Sequence, residues 1–477
     1  MKKISLPVFV LLITLSMGAD AQQKWSLQQC VEYALANNIS VKQADVQARF
    51  DKLTLHQSQM AVYPSVNSQH SGGWQFGRSI DPTSNQFTTN QILYTNHGLN
   101  VDVDIFNWFR KKNTIAADKF TAQASDAKLE KARNDIALNV ANAYLVALLN
   151  KEQINVGKVQ IAQSTEQLQN IKKQVDAGEL PELNLAEMET QLATDSSSFI
   201  SAKANYDLAV LQLKALLNID AAEPFDIATP PVEAIPIEPL AELDPAVVFA
   251  SAQENLPQQK INDLNLKAAA KNVLVARSAL YPSISLFGGL SSRYSDAQKL
   301  LGKNYQPADV PIGSVNINGI NYVVNRQTDM PTGYDKNTYF RQMNNNFSQN
   351  IGMGLSIPIF NGETARTNWR KAKLNVESQQ LLKDQDVLTL KQDIYQAHVN
   401  AVAALEKYNA SLVAQASAQK AYDFAVKRFE VGLLKPIDLI TNQNNLFNAK
   451  INTLSAHYDY VFKMKLLEFY KGKGLRL

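Results

Sequence analysis

Two aspartates one residue apart, Asp102 and Asp104, five histidines and a single cysteine are the side chains in this chain best suited to hold a metal or move a proton. In the run Asn96–Ile105, Leu99, Val101, Val103 and Ile105 alternate with Asn100, Asp102 and Asp104. A strand of period two puts both carboxylates on its polar face, so they read as groups facing water and not as a ligand pair. His56, His70, His97, His398 and His457 are scattered and match no zinc spacing. A lone Cys30 excludes an internal disulfide and any multi-cysteine site. It falls inside the amphipathic pattern that starts at Leu27, and so reads as a buried helix residue and not as a lipid attachment point. No phosphate loop, Gly-x-Ser-x-Gly elbow or His-Glu-x-x-His occurs, and no nucleophile stands beside a base. The expectation is a protein that is not an enzyme and has no metal and no cofactor.

Two turns are more informative. Val175-Asp176-Ala177-Gly178-Glu179-Leu180-Pro181 and Phe429-Glu430-Val431-Gly432-Leu433-Leu434-Lys435-Pro436 each place a glycine where a helix ends and a proline where the next begins. A hairpin cap needs no more than that. Leu180, Leu433 and Leu434 are apolar residues at the expected tips, far from a bulk core, and this predicts a docking surface.

The elements that carry these turns follow from the whole chain. Its 477 residues are 45% hydrophobic and 19% charged, with 47 basic against 44 acidic side chains, which excludes a disordered chain and a nucleic-acid footprint. Mean hydropathy is −0.22, too low for a bundle of membrane helices. Residues 1–21 read as a secretory signal peptide: Lys2 and Lys3 precede an apolar run from Leu6 to Leu15, and Ala19-Asp20-Ala21 supplies small residues for cleavage.

Beyond it the chain repeats itself. Met60–Val66 recurs as Ser278–Ile284 at an offset of 218, and Ala34 and Asn37 fall on Ala252 and Asn255. Asp104-Ile105-Phe106-Asn107 recurs as Pro358-Ile359-Phe360-Asn361 at an offset of 254, which then holds from Gly178, Leu183, Leu185 and Leu192 to Gly432, Ile437, Leu439 and Leu446. The difference is an insertion of 36 residues between Pro282 and Phe360, in a Gly-, Pro- and Asn-rich segment that reads as an extracellular loop. The expected organisation is a first repeat at 22–218, a proline-rich linker at 219–243 and a second repeat at 244–477.

Each repeat reads helix, strand, loop, strand, very long helix, turn, helix. From Arg110 to Val175 there is no proline and one glycine, Gly157, so a single helix would span about 100 Å at 1.5 Å per residue. Val140, Ala147, Ile154, Ile161, Leu168 and Val175 recur every seven residues, a coiled-coil-like seam matched by Ile394, Ala401, Tyr408, Gln415, Tyr422 and Phe429. The strands alternate apolar and polar faces and end near Trp74, Phe76 and Tyr94. That pattern suits an outer-membrane barrel with a polar lumen, where Asp102 and Asp104 would point, and suits a soluble sandwich equally.

The chain resembles the TolC-like outer-membrane efflux proteins. The residues that carry the resemblance are Leu27–Asn38, the Tyr-Pro-Ser helix ends of both copies, Pro358-Ile359-Phe360-Asn361-Gly362 and the turns at Gly178 and Gly432, in that order over essentially the whole mature chain. It implies an α+β outer-membrane factor: a homotrimer in which four strands per chain close one barrel and the long helices form a periplasmic tunnel. It assigns the tips, Gly178, Glu179, Leu180, Gly432, Leu433 and Leu434, to docking on a periplasmic adaptor. It also places Asp438 and Thr441 at the periplasmic constriction, with Asn184 and Glu187 as first-copy equivalents. Family members often carry acids at both of the first two positions; here Asp438 is the acidic one and Glu187 is the candidate for the second charge. Phe429 and Leu434 depart from polar residues that tie the closed state in some members.

The functional expectation is a passive trimeric exit duct in the outer membrane, serving a tripartite pump or type I secretion system. Its partners would be the adaptor and a proton-driven or ATP-driven inner-membrane transporter. The alternative is a trimeric coiled-coil surface protein or adhesin.

Overall fold

The computed structural model describes residues 24–80, 87–89, 91–232 and 235–472. The signal peptide expected at 1–21 lies outside them. Two compact units arise: one runs to Lys52 and takes in Phe120–Leu266 and the chain from Ser378, and the other comprises Leu53–Lys119 and Lys267–Glu377.

The first unit is helical. α1 (Leu27–Asn37) and α2 (Ile39–Met60) precede the sheet strands of the first copy; α3 (Arg110–Asp176) and α4 (Glu182–Leu217) follow them. α5 (Pro245–Asn255), α6 (Pro257–Ser278), α8 (Thr364–Glu430) and α9 (Pro436–Tyr470) repeat the order, and α3 and α8 are each 67 residues long. The starts of α1 and α5 are built alike. Ser26 closes a capping box with Gln29, and Asp244, its counterpart 218 residues on, accepts from the Ala246 and Val247 amides.

Two cores form at equivalent places. In the first copy Cys30, Ala34, Ile136, Val140, Ala147 and Leu213 are buried together. In the second Val248, Ala252, Leu390, Ile394, Ala401 and Leu467 occupy the matching positions. The seven-residue seam is buried or half-buried along its whole length in both long helices, Gln415 included. Cys30 is fully buried where the second copy has Val248, and that burial pushes its thiol up to about 12.

The segment expected as a linker lies on this helical surface. Ile227 bridges to Trp25, Ala228 accepts from the Tyr144 hydroxyl at 2.6 Å, and Ile227 and Val232 are buried in the first core. Its later part is held by charge: the buried Lys465–Glu468 ion pair, 2.8 Å, also accepts the Glu238 amide.

The second unit holds a four-stranded antiparallel sheet in the order β1-β4-β5-β10: β1 (Ser65–Gln75), β4 (Ile92–Phe106), β5 (Ser283–Ser295) and β10 (Ser348–Ser356). β1 and β10 are its edges. Pairs such as Val66 with Val101, Leu99 with Leu290, Val103 with Leu286 and Met353 with Leu286 put apolar residues on one face. Asn67 with Asn100 and Asn100 with Gly289 lie on the other.

Two sequence expectations need correction here. A bulge between Asp104 and Phe106 takes Ile105 out of the ladder, so the alternation ends at Val103. The alternation of Ile351, Met353, Leu355, Ile357 and Ile359 extends the second copy's last strand to Phe360 in sequence, but β10 stops at Ser356. The inserted segment, expected as the loop between the second copy's strands, carries a hairpin of its own, β7 (Tyr305–Ile317) with β8 (Ile320–Pro331). Its turn residues Asn318 and Gly319 both have positive φ, the arrangement in which an Asn-Gly pair matches strand twist. The pairs β2 (Arg78–Ile80) with β3 (Phe87–Thr89) and β6 (Lys299–Leu301) with β9 (Tyr334–Lys336), and the short α7 (Tyr339–Asn345), complete the unit.

Candidate functional site

The two helical turns have the same backbone. At the end of α3 the Gly178 amide donates to the Val175 carbonyl at 2.9 Å and the Glu179 amide to Gln174 at 2.8 Å. At the end of α8 the Gly432 amide donates to Phe429 at 2.9 Å and the Leu433 amide to Arg428 at 2.8 Å. These paired bonds over four and six residues satisfy carbonyls that a helix end leaves open, and they require a left-handed residue. Gly178 and Gly432 supply it with φ of 76° and 73°. The following helices begin differently. Pro181 caps α4, whereas α9 is capped by Lys435 and has Pro436 at its first position.

The side chains correct part of the sequence reading. Leu433 is 69% exposed, as a tip residue should be. Leu180 and Leu434 are half-buried instead, and Leu180 folds back onto the cluster of Ile171, Met188 and Ile440. Both stand in the turn ahead of the next helix and are turned inward, while residues three positions further on, inside α4 and α9, turn out. Those positions are Leu183 and Ile437, 66% and 44% exposed, equivalents of each other and missed by the sequence reading. Val431, 67% exposed, was missed as well.

Asp438 and Thr441 lie on the exposed stripe of α9, opposite buried Leu439 and Ile440. The Thr441 hydroxyl donates to the Ile437 carbonyl at 2.9 Å, so it is held against its own helix. Asp438 stands in the first turn, where a negative charge also suits the helix dipole. Asn184 and Glu187 are half-buried on α4.

Behind these positions a buried polar network joins α3, α4 and α9, which no sequence motif announces. Asp195 accepts from the Ser164 hydroxyl at 2.5 Å, from Gln160 at 3.3 Å and from Gln191 at 2.8 Å. Gln191 and Asn444 exchange amide bonds at 2.9 and 3.0 Å, and Gln443 donates to the Ser164 hydroxyl at 3.1 Å. Such a network favours one register of α9 against the first hairpin, with Gln443 Oε1 the buried atom it leaves without a partner.

In the sheet, Asp102 is exposed, whereas Asp104 lies 3.4 Å from Arg110 and 3.5 Å from Lys111. The histidines are less scattered than their spacing suggests, because the β1–β4 register sets His70 opposite His97.

Residues 30–218 and 249–468 match the family model described as outer membrane efflux protein. Over 458 residues the chain is 21% identical to the outer membrane efflux protein BepC of Brucella suis, covering 95% of this chain and 86% of that protein. Among solved structures it superposes on CusC with a TM-score of 0.75 at 17% identity, over 95% of this chain and 93% of that one. On the Campylobacter jejuni CmeC outer membrane channel the score is 0.73 at 20% identity, over 94% and 86%.

Proposed function

The chain belongs to the outer membrane efflux protein family, and from that premise we propose that it is the exit duct of a tripartite efflux pump or type I secretion system. It is an outer-membrane protein with a large periplasmic helical portion, and its relatives are channels and not enzymes. Family membership sets the adhesin reading aside.

Three copies assemble into the duct in this reading. The observation that carries it is an unfinished surface. The sheet has two open edges, β1 and β10, and a hydrocarbon environment admits strands when their ladders close. Apolar seven-residue stripes also stand exposed: Ile39, Val46, Leu53 and Met60 on α2, and Leu374, Leu381, Leu388 and Tyr395 on α8. Stripes of that period are what a neighbouring helix packs against.

The adaptor docks at the tips, with Val431, Leu433, Ile437 and Leu183 as the apolar contacts and Gly178, Glu179 and Gly432 shaping the backbone. Asp438 lines the periplasmic constriction, and Glu187 and Asn184 stand behind it. Transport is passive here; the inner-membrane transporter supplies the energy. Photocrosslinkers placed at Leu433 and at Leu381 test the two contacts separately in intact cells. The first should capture a periplasmic adaptor and the second another copy of this chain. Capture of neither would sink the duct reading.

A further inference from the structure

The two hairpins of the sheet are paired in one register. Between β1 and β4, Ser65 faces Asp102 and Val66 faces Val101. Moved by the repeat offsets of 218 and 254, those pairs become Ser283 with Ser356 and Ile284 with Leu355, which are the pairs formed by β5 and β10. The correspondence continues through the corner where each last strand passes into a long helix. Trp108 and Phe109 have φ of 50° and 60°, and their equivalents Gly362 and Glu363 have 61° and 60°.

One pairing of the first copy has no counterpart in the second. β4 meets β1 as far as Asp102, and its last residues, Val103–Phe106, are paired by β5 alone. β10 meets β5 as far as Ser356, and among the described residues no strand pairs with its continuation, 357–360. Ile357, Ile359 and Phe360 are 57%, 94% and 82% exposed. The strand that would hold them is the equivalent of β5, which is β1, and β1 is the other open edge of the same sheet. Just ahead of β1 stands Tyr63, 66% exposed. Its equivalent Tyr281 is covered by Trp108, with ring centroids 4.4 Å apart.

We propose that β10 pairs with β1 of a second copy of this chain, in the register that β4 keeps with β5. This rests on the reading of the protein as an assembly of copies and adds which residues meet. Within the chain Val101 faces Gly288 and Asp102 faces Phe287. The same offsets set Leu355 against the partner's His70 and Ser356 against the partner's Gln69. Beyond them Ile357 faces the partner's Ser68 and Phe360 faces the partner's Val66, so β10 lengthens into the stretch that stands exposed. Pro358 falls where Asp104 adjoins the bulge, a place in a ladder that tolerates proline. A slip of one residue would set Leu355 against a polar-face residue, the partner's Gln69 or the partner's Ser71. A ring of like hairpins closes evenly when the step between copies repeats the step within one, because register and strand tilt together set its curvature.

Interchain disulfides in the full-length protein test the register. In a Cys30→Val background, Leu355→Cys is combined with His70→Cys, and separately Ser356→Cys with Gln69→Cys, one pair on each face of the sheet. Directly opposed residues have Cα atoms about 4.5–5.5 Å apart, within disulfide reach. Oxidation of the protein in detergent should join the chains into covalent trimers on non-reducing gels with either pair, and with neither cysteine of a pair alone. Leu355→Cys with Ser68→Cys or with Gly72→Cys, each slipped by two residues to about 7–8 Å, should join at least tenfold less. Light scattering on the unmodified protein separates the two readings. Trimers in which a slipped pair joins as well as the aligned ones, or in which neither aligned pair joins, would overturn the register and leave the duct standing. Folded protein that stays monomeric would overturn both.

Discussion

The two helical tips share a backbone and differ in chemistry. Both close through a left-handed glycine, both tuck a leucine inward at Leu180 and Leu434, and both turn an aliphatic residue out at Leu183 and Ile437. Around the glycine the likeness ends. The first tip carries Ala177 and Glu179 where the second carries Val431 and Leu433, and Pro181 of the first faces Lys435 of the second as helix cap. Hydrogen bonding at a helix end dictates the glycine and leaves its exposed neighbours free, so a repeated backbone can present two different surfaces. In the proposed trimer six tips would alternate in character around the entrance, with the apolar contact concentrated on the second copy.

The largest expected effect breaks that asymmetry. Val431→Asp together with Leu433→Asp puts unpaired charge into the docking contact, which should weaken adaptor capture ~100-fold and abolish efflux. Ala177→Asp in the first tip should do far less, as measured by crosslinking yield and by drug susceptibility in the same strain. Equal losses from both would show that the tips are equivalent. Next in size, Asp438→Ala should cut cation selectivity and divalent block severalfold in planar bilayers, because like charges gathered at a narrow passage attract cations. Glu187→Ala, on the half-buried first-copy position, should change them less. Unchanged selectivity in an assembled Asp438→Ala channel would move the constriction charge to Glu187.

A smaller effect should be the same at both tips. A Cβ added at Gly178 or Gly432 meets nothing within 4 Å, so alanine there is opposed by backbone conformation alone. Each substitution should cost about 1–2 kcal/mol in thermal melts, and a clear inequality would mean that the two turns differ in strain. The smallest concerns the two equivalent cores of the repeats. Cys30→Val restores the residue found at Val248 in the second copy and should be near neutral at pH 7. With the thiol raised from 9.0 to about 12 on folding, the unfolded chain releases its proton first. Wild type should therefore lose stability faster than Cys30→Val between pH 9 and 12, read as the alkaline unfolding midpoint.

The features legible in the sequence were those that repeat or punctuate. The helix from Arg110 was readable because 67 residues passed without proline, and the turn at Gly432 because glycine and proline bracket it. The inward turn of Leu180 was not, since it is set by where Ile171, Met188 and Ile440 lie on the helices. Asn318-Gly319 is a hairpin signal in its own right, yet its Pro- and Asn-rich flanks lack the alternation that marks a strand. The encounter of His70 with His97 depends on a register set by the hairpin between them, and 27 residues of separation conceal it.

The open edges of β1 and β10 also govern how the protein can be made. A single sheet placed in hydrocarbon would strand the outward amides and carbonyls of an eleven-residue and a nine-residue strand, each costing several kcal/mol. Insertion ahead of association is thereby suppressed, and entering the bilayer and meeting a second copy become one event whose rate rises steeply with the local supply of chains. Biogenesis of the proposed trimer would be a kinetic problem of encounter before one of folding, and the edge strands are where a dominant-negative variant would act.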